Sequence, residues 1–126
     1  MCSSDLGRLS PEVYHVLREA GTERPFSSLL HQEHRAGRYR CRGCGDTVFE
    51  GSAKYDSGTG WPSFVRPAVS TAIETHVDRR YYQIRTEVRC ASCGSHLGHV
   101  FPDGPAPTGL RYCINGIALT FEPTLL

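Results

Sequence analysis

Cysteine, histidine and one tryptophan carry most of the chemistry open to this chain, which has six cysteines, six histidines and a single Trp. Cys41 and Cys44 form one C-x-x-C pair, and Cys90 and Cys93 form another. Both lie in the same frame, "RCRGCG" at 40–45 and "RCASCG" at 89–94. Four thiolates offered by two such knuckles are a tetrahedral donor set for one Zn²⁺, closed to substrate and therefore structural. The glycine after each second cysteine suits a left-handed turn that aims backbone N–H groups at the thiolates. A redox-active C-x-x-C is the competing reading, which duplication of the whole frame disfavours. With four cysteines so engaged, Cys2 and Cys113 are left over.

Cys113 lies in "RYCIN", residues 111–115. On a strand, alternation puts Arg111, Cys113 and Asn115 on one face and Leu110, Tyr112 and Ile114 on the other. The apolar set belongs in the core, which leaves Cys113 beside a guanidinium that favours thiolate over thiol. A buried, inert cysteine would have apolar neighbours on its own face, and here there are none. "SHLGHVF" adds His96 and His99 directly after the second knuckle, and "SGTGWPSF" mounts Trp61 in a Gly-rich turn. Two histidines alone are more often surface or core residues than catalysts, and a lone Trp is as often core filler. Together with Cys113 and Asn115 they form a set suited to thiol chemistry against an apolar wall.

The elements that position these groups read as one helix followed by strands. "SPEVYHVLREAG" predicts a short helix with Ser10 as N-cap, Pro11 at its first position and Gly21 as its stop. Val13, Val16, Leu17 and Ala20 make its inward stripe. "SSLLHQEHRAG" fits either a helical turn or an irregular loop. From Tyr39 the period changes to two. Val69, Thr71, Ile73, Thr75 and Val77 share one face of "VSTAIETHVD". Tyr82, Ile84, Thr86 and Val88 share one face of "YYQIRTEVRC", opposite Gln83, Arg85, Glu87 and Arg89. Joined through 78–80, these runs predict a β-hairpin. "PDGPAPTG" is a loop delivering the chain into "LRYCIN", and Gly116 allows a bulge before "IALTF". The fold class expected is mainly β and antiparallel, one domain over 10–126 behind a flexible tail at 1–9 that holds Cys2.

Composition bounds the function. At 126 residues, 39% hydrophobic and 21% charged, this is an ordinary globular chain. A formal net charge of +1 supplies no field for nucleic acid or an anionic membrane. No apolar run approaches a membrane span, and "MCSSDLGRLS" lacks the apolar segment of a signal peptide. A reducing cytoplasmic setting and a monomer are the expectations.

In their order along the chain, "LSPEVYHVLREAGTERPF", "CRGCG", "KYDSGTGWPSF", "CASCGSHLGHVFPDGP", "TGLRYCIN" and "LTFEP" resemble the B-type methionine-R-sulfoxide reductases over nearly the whole sequence. The resemblance implies two antiparallel β-sheets facing each other, with the zinc clamp remote from the active site. It implies Cys113 as nucleophile, Trp61 as the seat of the substrate methyl group, and His96, His99 and Asn115 around the sulfoxide oxygen. Arg111 matches the pattern beside the nucleophile, and Phe64 of "GWPSF" joins Trp61 as a substrate-binding residue. The implied product on the enzyme is a sulfenic acid at Cys113, restored by a thiol donor such as thioredoxin. One departure stands out. Many members carry a resolving cysteine where this chain has Thr59, which leaves Cys2 or an external thiol for that step. Gly116, where many members have Ser, is a smaller departure.

Two other classes compete. A non-enzymatic four-cysteine zinc ribbon leaves the Arg111, Cys113 and Asn115 face unexplained. A zinc deaminase, suggested by "HQE" at 31–33, wants Pro before Cys41 where Arg40 stands, and it leaves the second C-x-x-C idle.

Overall fold

A computed structural model describes residues 10–19, 21–79 and 83–124. The tail at 1–9 with Cys2, and the inward positions Ala20 and Tyr82, lie outside these. Helix α1 spans Pro11–Glu19. Ser10 caps it, its Oγ accepting from the Val13 N–H at 3.4 Å. At the far end the Gly21 N–H donates to the His15 carbonyl at 2.9 Å. Val13, Val16 and Leu17 are buried as the stripe predicts, and such a side chain contributes about 2 kcal/mol when fully buried. The undecided segment forms a 3-10 turn, Leu29–Gln32, capped by Ser28.

The strands are β1 (Gly37–Cys41), β2 (Thr47–Glu50), β3 (Lys54–Tyr55), β4 (Ser63–Phe64), β5 (Ile73–Asp78), β6 (Arg85–Cys90), β7 (His96–Phe101), β8 (Arg111–Ile114) and β9 (Leu119–Pro123). They form a three-stranded sheet, β2-β1-β9, and a six-stranded sheet, β3-β4-β8-β7-β6-β5. All pairings are antiparallel. The sheets meet through aromatic side chains: Phe64 stacks on Phe49 at 4.4 Å and meets the Tyr39 ring edge-on at 5.0 Å. Leu97, Ile114 and Leu119 complete this core without exposure. The expected two-sheet, mainly β fold with one short helix is what forms.

Three local expectations need correction. The β5–β6 hairpin exists, but β5 runs through Asp78 and β6 begins at Arg85, so the expected connection at 78–80 is displaced. Its apolar face is covered only at the knuckle end, where Ile73, Val88 and Cys90 are buried. Val77 and Ile84, at the other end, are 64% and 74% exposed, and Val69, ahead of β5, is 59% exposed. After Asn115 the chain makes a 3-10 turn, Gly116–Ala118, in place of a bulge, and so changes sheets into β9.

A bulge does occur in β7. Arg89 pairs with His96 and Val88 with Gly98, leaving Leu97 as the extra residue. Residues three apart on a regular strand face opposite ways; one added residue resets the phase. His96 and His99 therefore meet, ring centroids 5.4 Å apart. Gly98 is required here, since a Cβ would collide with the Cys113 backbone carbonyl and come within 2.9 Å of the Ile114 Cα.

Candidate active site

Strand β8 carries Cys113 between β4, where Ser63 is its partner, and β7, where His99 is. Alternation holds as read: Tyr112 and Ile114 enter the core, while Arg111, Cys113 and Asn115 line a cavity of about 250 Å³. Trp61, His99, Thr59, Thr22, Phe101, Arg85 and Gly98 complete its wall.

Arg111 is held in place twice. Its guanidinium donates to both oxygens of Asp103, at 2.8 and 3.1 Å, and lies 4.5 Å from the centre of the Phe101 ring. The expected depression of the Cys113 thiol is not the net result. Burial pushes the thiol above its ordinary range, and the charge of Arg111 and a hydrogen bond with Thr59 offset this only in part. Desolvation of a small anion outweighs one cation that is itself shared with a carboxylate.

Each histidine is fastened by a buried carboxylate. His96 Nδ1 lies 2.6 Å from Glu87 Oε2, and His99 Nε2 lies 2.8 Å from Asp78 Oδ2. A carboxylate only accepts, so the proton sits on Nδ1 of His96 and Nε2 of His99. Burial lowers the His99 pKa despite Asp78, which keeps the ring neutral near pH 7, with Nδ1 as an acceptor. Burial alone would raise Glu87; its bonds from Arg89 and His96 overcome that and hold it ionised. Glu87 and Asp78 are only 4% and 5% exposed, although the sequence placed Glu87 simply opposite the Ile84 and Val88 face and Asp78 at the start of the hairpin connection. Their position opposite the histidines was missed. The available signal was a run of acids on the same face as His76 and Arg85.

His96 does not line the cavity; it backs His99 from the strand interior. Asn115 does line it, but its amide is already engaged, Oδ1 accepting from the Glu23 N–H at 2.9 Å and Nδ2 donating to the Leu97 carbonyl at 3.0 Å. Phe64 is corrected: its ring is fully buried between the sheets, where no substrate reaches it. Trp61, on the turn before β4, borders the cavity with its indole N–H donating to the Glu23 carbonyl at 3.0 Å.

At the other end of β6 and β7 the knuckles converge. The sulfur atoms of Cys41, Cys44, Cys90 and Cys93 all lie within 4.8 Å of one another, with pairs at 3.6 and 3.7 Å. A tetrahedron with Zn–S of about 2.3 Å has an edge of about 3.8 Å, so the spacing fits. Gly45 and Gly94 adopt φ of 87° and 74°, and the Gly43 N–H points at Cys41 Sγ from 3.3 Å. Left to themselves these thiols oppose one another's ionisation. A hydrogen bond to Cys90, then burial, drives Cys41 far upward, while Cys90 falls to about 5. A divalent cation relieves that conflict, and these four residues could hold one.

The SelR domain model matches residues 9–123. The chain belongs to the SelR family. A relative from Bradyrhizobium diazoefficiens is 61% identical over 115 residues, covering 91% of this chain and 83% of its own. Relatives from Agrobacterium fabrum and Thiobacillus denitrificans are 53% and 55% identical, covering 92% and 91% of this chain and 86% and 87% of theirs. All three are named peptide methionine sulfoxide reductase MsrB. The SelR match spans both knuckles, Trp61, His96, His99 and "RYCIN", so the family resemblance is borne out. Among the described residues no helix is long and apolar enough to cross a membrane.

Proposed function

We propose that this SelR chain reduces the R epimer of methionine sulfoxide, mainly in proteins, with Cys113 as nucleophile. The supporting observation is the placement of Cys113 in a small cavity walled by Trp61 on one side and His99 on another. The Cys113 thiolate attacks the sulfoxide sulfur, and the oxygen takes a proton held near His99, because a bare oxide is a poor leaving group. Two electrons pass from the Cys113 sulfur to the substrate sulfur. The oxygen and one proton end on Cys113 as sulfenic acid, and the thioether departs as methionine. Two external thiols then return Cys113 to the thiol, releasing water and a disulfide.

The indole of Trp61 packs the S-methyl and so decides which arm of the sulfur faces His99. Arg111 supplies positive charge to the attacking thiolate. His96 and Asn115 act from behind, His96 by seating His99 and Asn115 by fixing the segment that carries Glu23. Thioredoxin is the proposed donor, with Cys2 the internal candidate for resolution. The proposed setting is a cytoplasmic monomer with one domain over 10–126. Zn²⁺ held by Cys41, Cys44, Cys90 and Cys93 would lock the two knuckles together and contribute fold stability. The test is one turnover without reductant in the presence of a sulfenic-acid trap. The parent should yield one methionine and one trapped adduct at Cys113; methionine formation by Cys113→Ser would refute the assignment.

A further inference from the structure

Glu23 makes bonds that the family chemistry does not explain. Its backbone joins two walls of the cavity: the N–H donates to Asn115 Oδ1 at 2.9 Å, and the carbonyl accepts from Trp61 Nε1 at 3.0 Å. Its carboxylate is turned the other way, Oε1 accepting from the Ile117 N–H at 2.8 Å. Oε2 is buried with no hydrogen-bond partner.

A loop residue gains nothing by burying a half-satisfied carboxylate unless the bond it makes matters, since an unpaired buried oxygen is costly. Here the bond ties the segment before the Leu29–Gln32 turn to the 3-10 turn after Asn115. Without that tie, the carbonyl that holds the indole would rest on Asn115 alone. Burial raises the Glu23 carboxyl above its ordinary range, against the Ile117 and Gly116 N–H groups and the charge of His31.

We infer that Glu23 is a positioning residue that determines epimer specificity: its carboxylate latches the 21–24 segment to the turn after β8, and the latched carbonyl fixes the plane of Trp61. The inference rests on the reading of Trp61 as the methyl wall. The cavity then chooses between epimers through a residue that lines neither the nucleophile nor the oxygen pocket. Asn115, just after β8, and Trp61, in the turn before β4, are coupled through the backbone of one residue.

Trp61 is the only tryptophan, so intrinsic fluorescence reports the latch without reference to activity. Three variants of the full chain are compared: Glu23→Ala, Glu23→Gln and Trp61→Ala. Glu23→Ala should shift the emission to the red, increase acrylamide quenching, and raise KM for the R epimer about tenfold, the loss of one charged hydrogen bond, with kcat little changed. The ratio of R to S turnover should fall with it. Glu23→Gln retains an acceptor for Ile117 and should restore emission and KM to within about twofold of the parent. Unchanged emission and quenching in a folded Glu23→Ala would overturn the latch. Changed emission with an unchanged epimer ratio would overturn its part in specificity. Failure of the Trp61 reading has a separate signature, a Trp61→Ala variant with parental KM and epimer ratio.

Discussion

Replacing Asp78 with Asn asks whether the cavity histidine depends on its buried carboxylate. The side chains of His99 and Asp78 are 8% and 3% exposed, with Nε2 at 2.8 Å from Oδ2. Arg85 reaches the same oxygen at 3.4 Å. A hydrogen bond to a charged partner contributes about 1.5–3 kcal/mol, and a neutral one about 0.5–1.5 kcal/mol. Asn preserves shape and one neutral acceptor, so the change removes about 1–1.5 kcal/mol. That difference counts most when His99 shares a proton with the departing oxygen and the ring carries positive charge. Since 1.4 kcal/mol is about tenfold in rate, single-turnover reduction by Asp78→Asn should slow roughly tenfold. KM should hold, because Asp78 is not part of the cavity wall. Rapid-quench single turnover with an R-sulfoxide peptide measures the rate, and a thermal melt separates it from loss of fold. A folded Asp78→Asn that turns over within twofold of the parent would refute the reasoning.

Cys93→Ser should lose bound metal and melt far below the parent. The apparent binding free energy of a structural zinc, about 10–16 kcal/mol, is comparable with the whole stability of a small domain, and metal analysis with calorimetry would check it. Thr59→Cys should install internal resolution, because Thr59 lines the same cavity as Cys113; one turnover without reductant should leave a disulfide between positions 59 and 113 by mass spectrometry. The rate of the chemical step should rise with pH from 6 to 9, by about tenfold per unit on the acid side, since burial holds the Cys113 thiol up and only thiolate attacks. Stability should change with acid independently. His99 is a base with a lowered folded pKa, so the unfolded chain binds its proton first, and stability falls as pH drops below about 6.5.

Strand β8 was legible because "RYCIN" alternates cleanly, with Tyr112 and Ile114 supplying the apolar half that the core needs. The knuckles were legible because C-x-x-C-G constrains backbone and ligands together. Period two assigns residues to faces but does not say what covers each face: Val77, on the face of Ile73, is exposed while Asp78, on the opposite face, is buried. The partnership of His96 and His99 depends on a bulge at Leu97 that no alternation pattern contains. Glu23 was invisible for another reason: its contacts with Trp61 and Asn115 use backbone atoms, which every residue possesses. Phe64 was placed at the substrate by the family resemblance that "GWPSF" carries. The short strand β4 turns it instead into the space between the sheets, where Phe49 stacks on it.

The most direct measurement is the consumption of the two sulfoxide epimers, presented separately in the same peptide with a dithiol reductant, by the parent and by Cys113→Ser. The account predicts rapid loss of the R epimer, none of the S epimer above background, and no turnover of either by the variant. Equal consumption of both epimers by the parent, or R turnover surviving in Cys113→Ser, would contradict it.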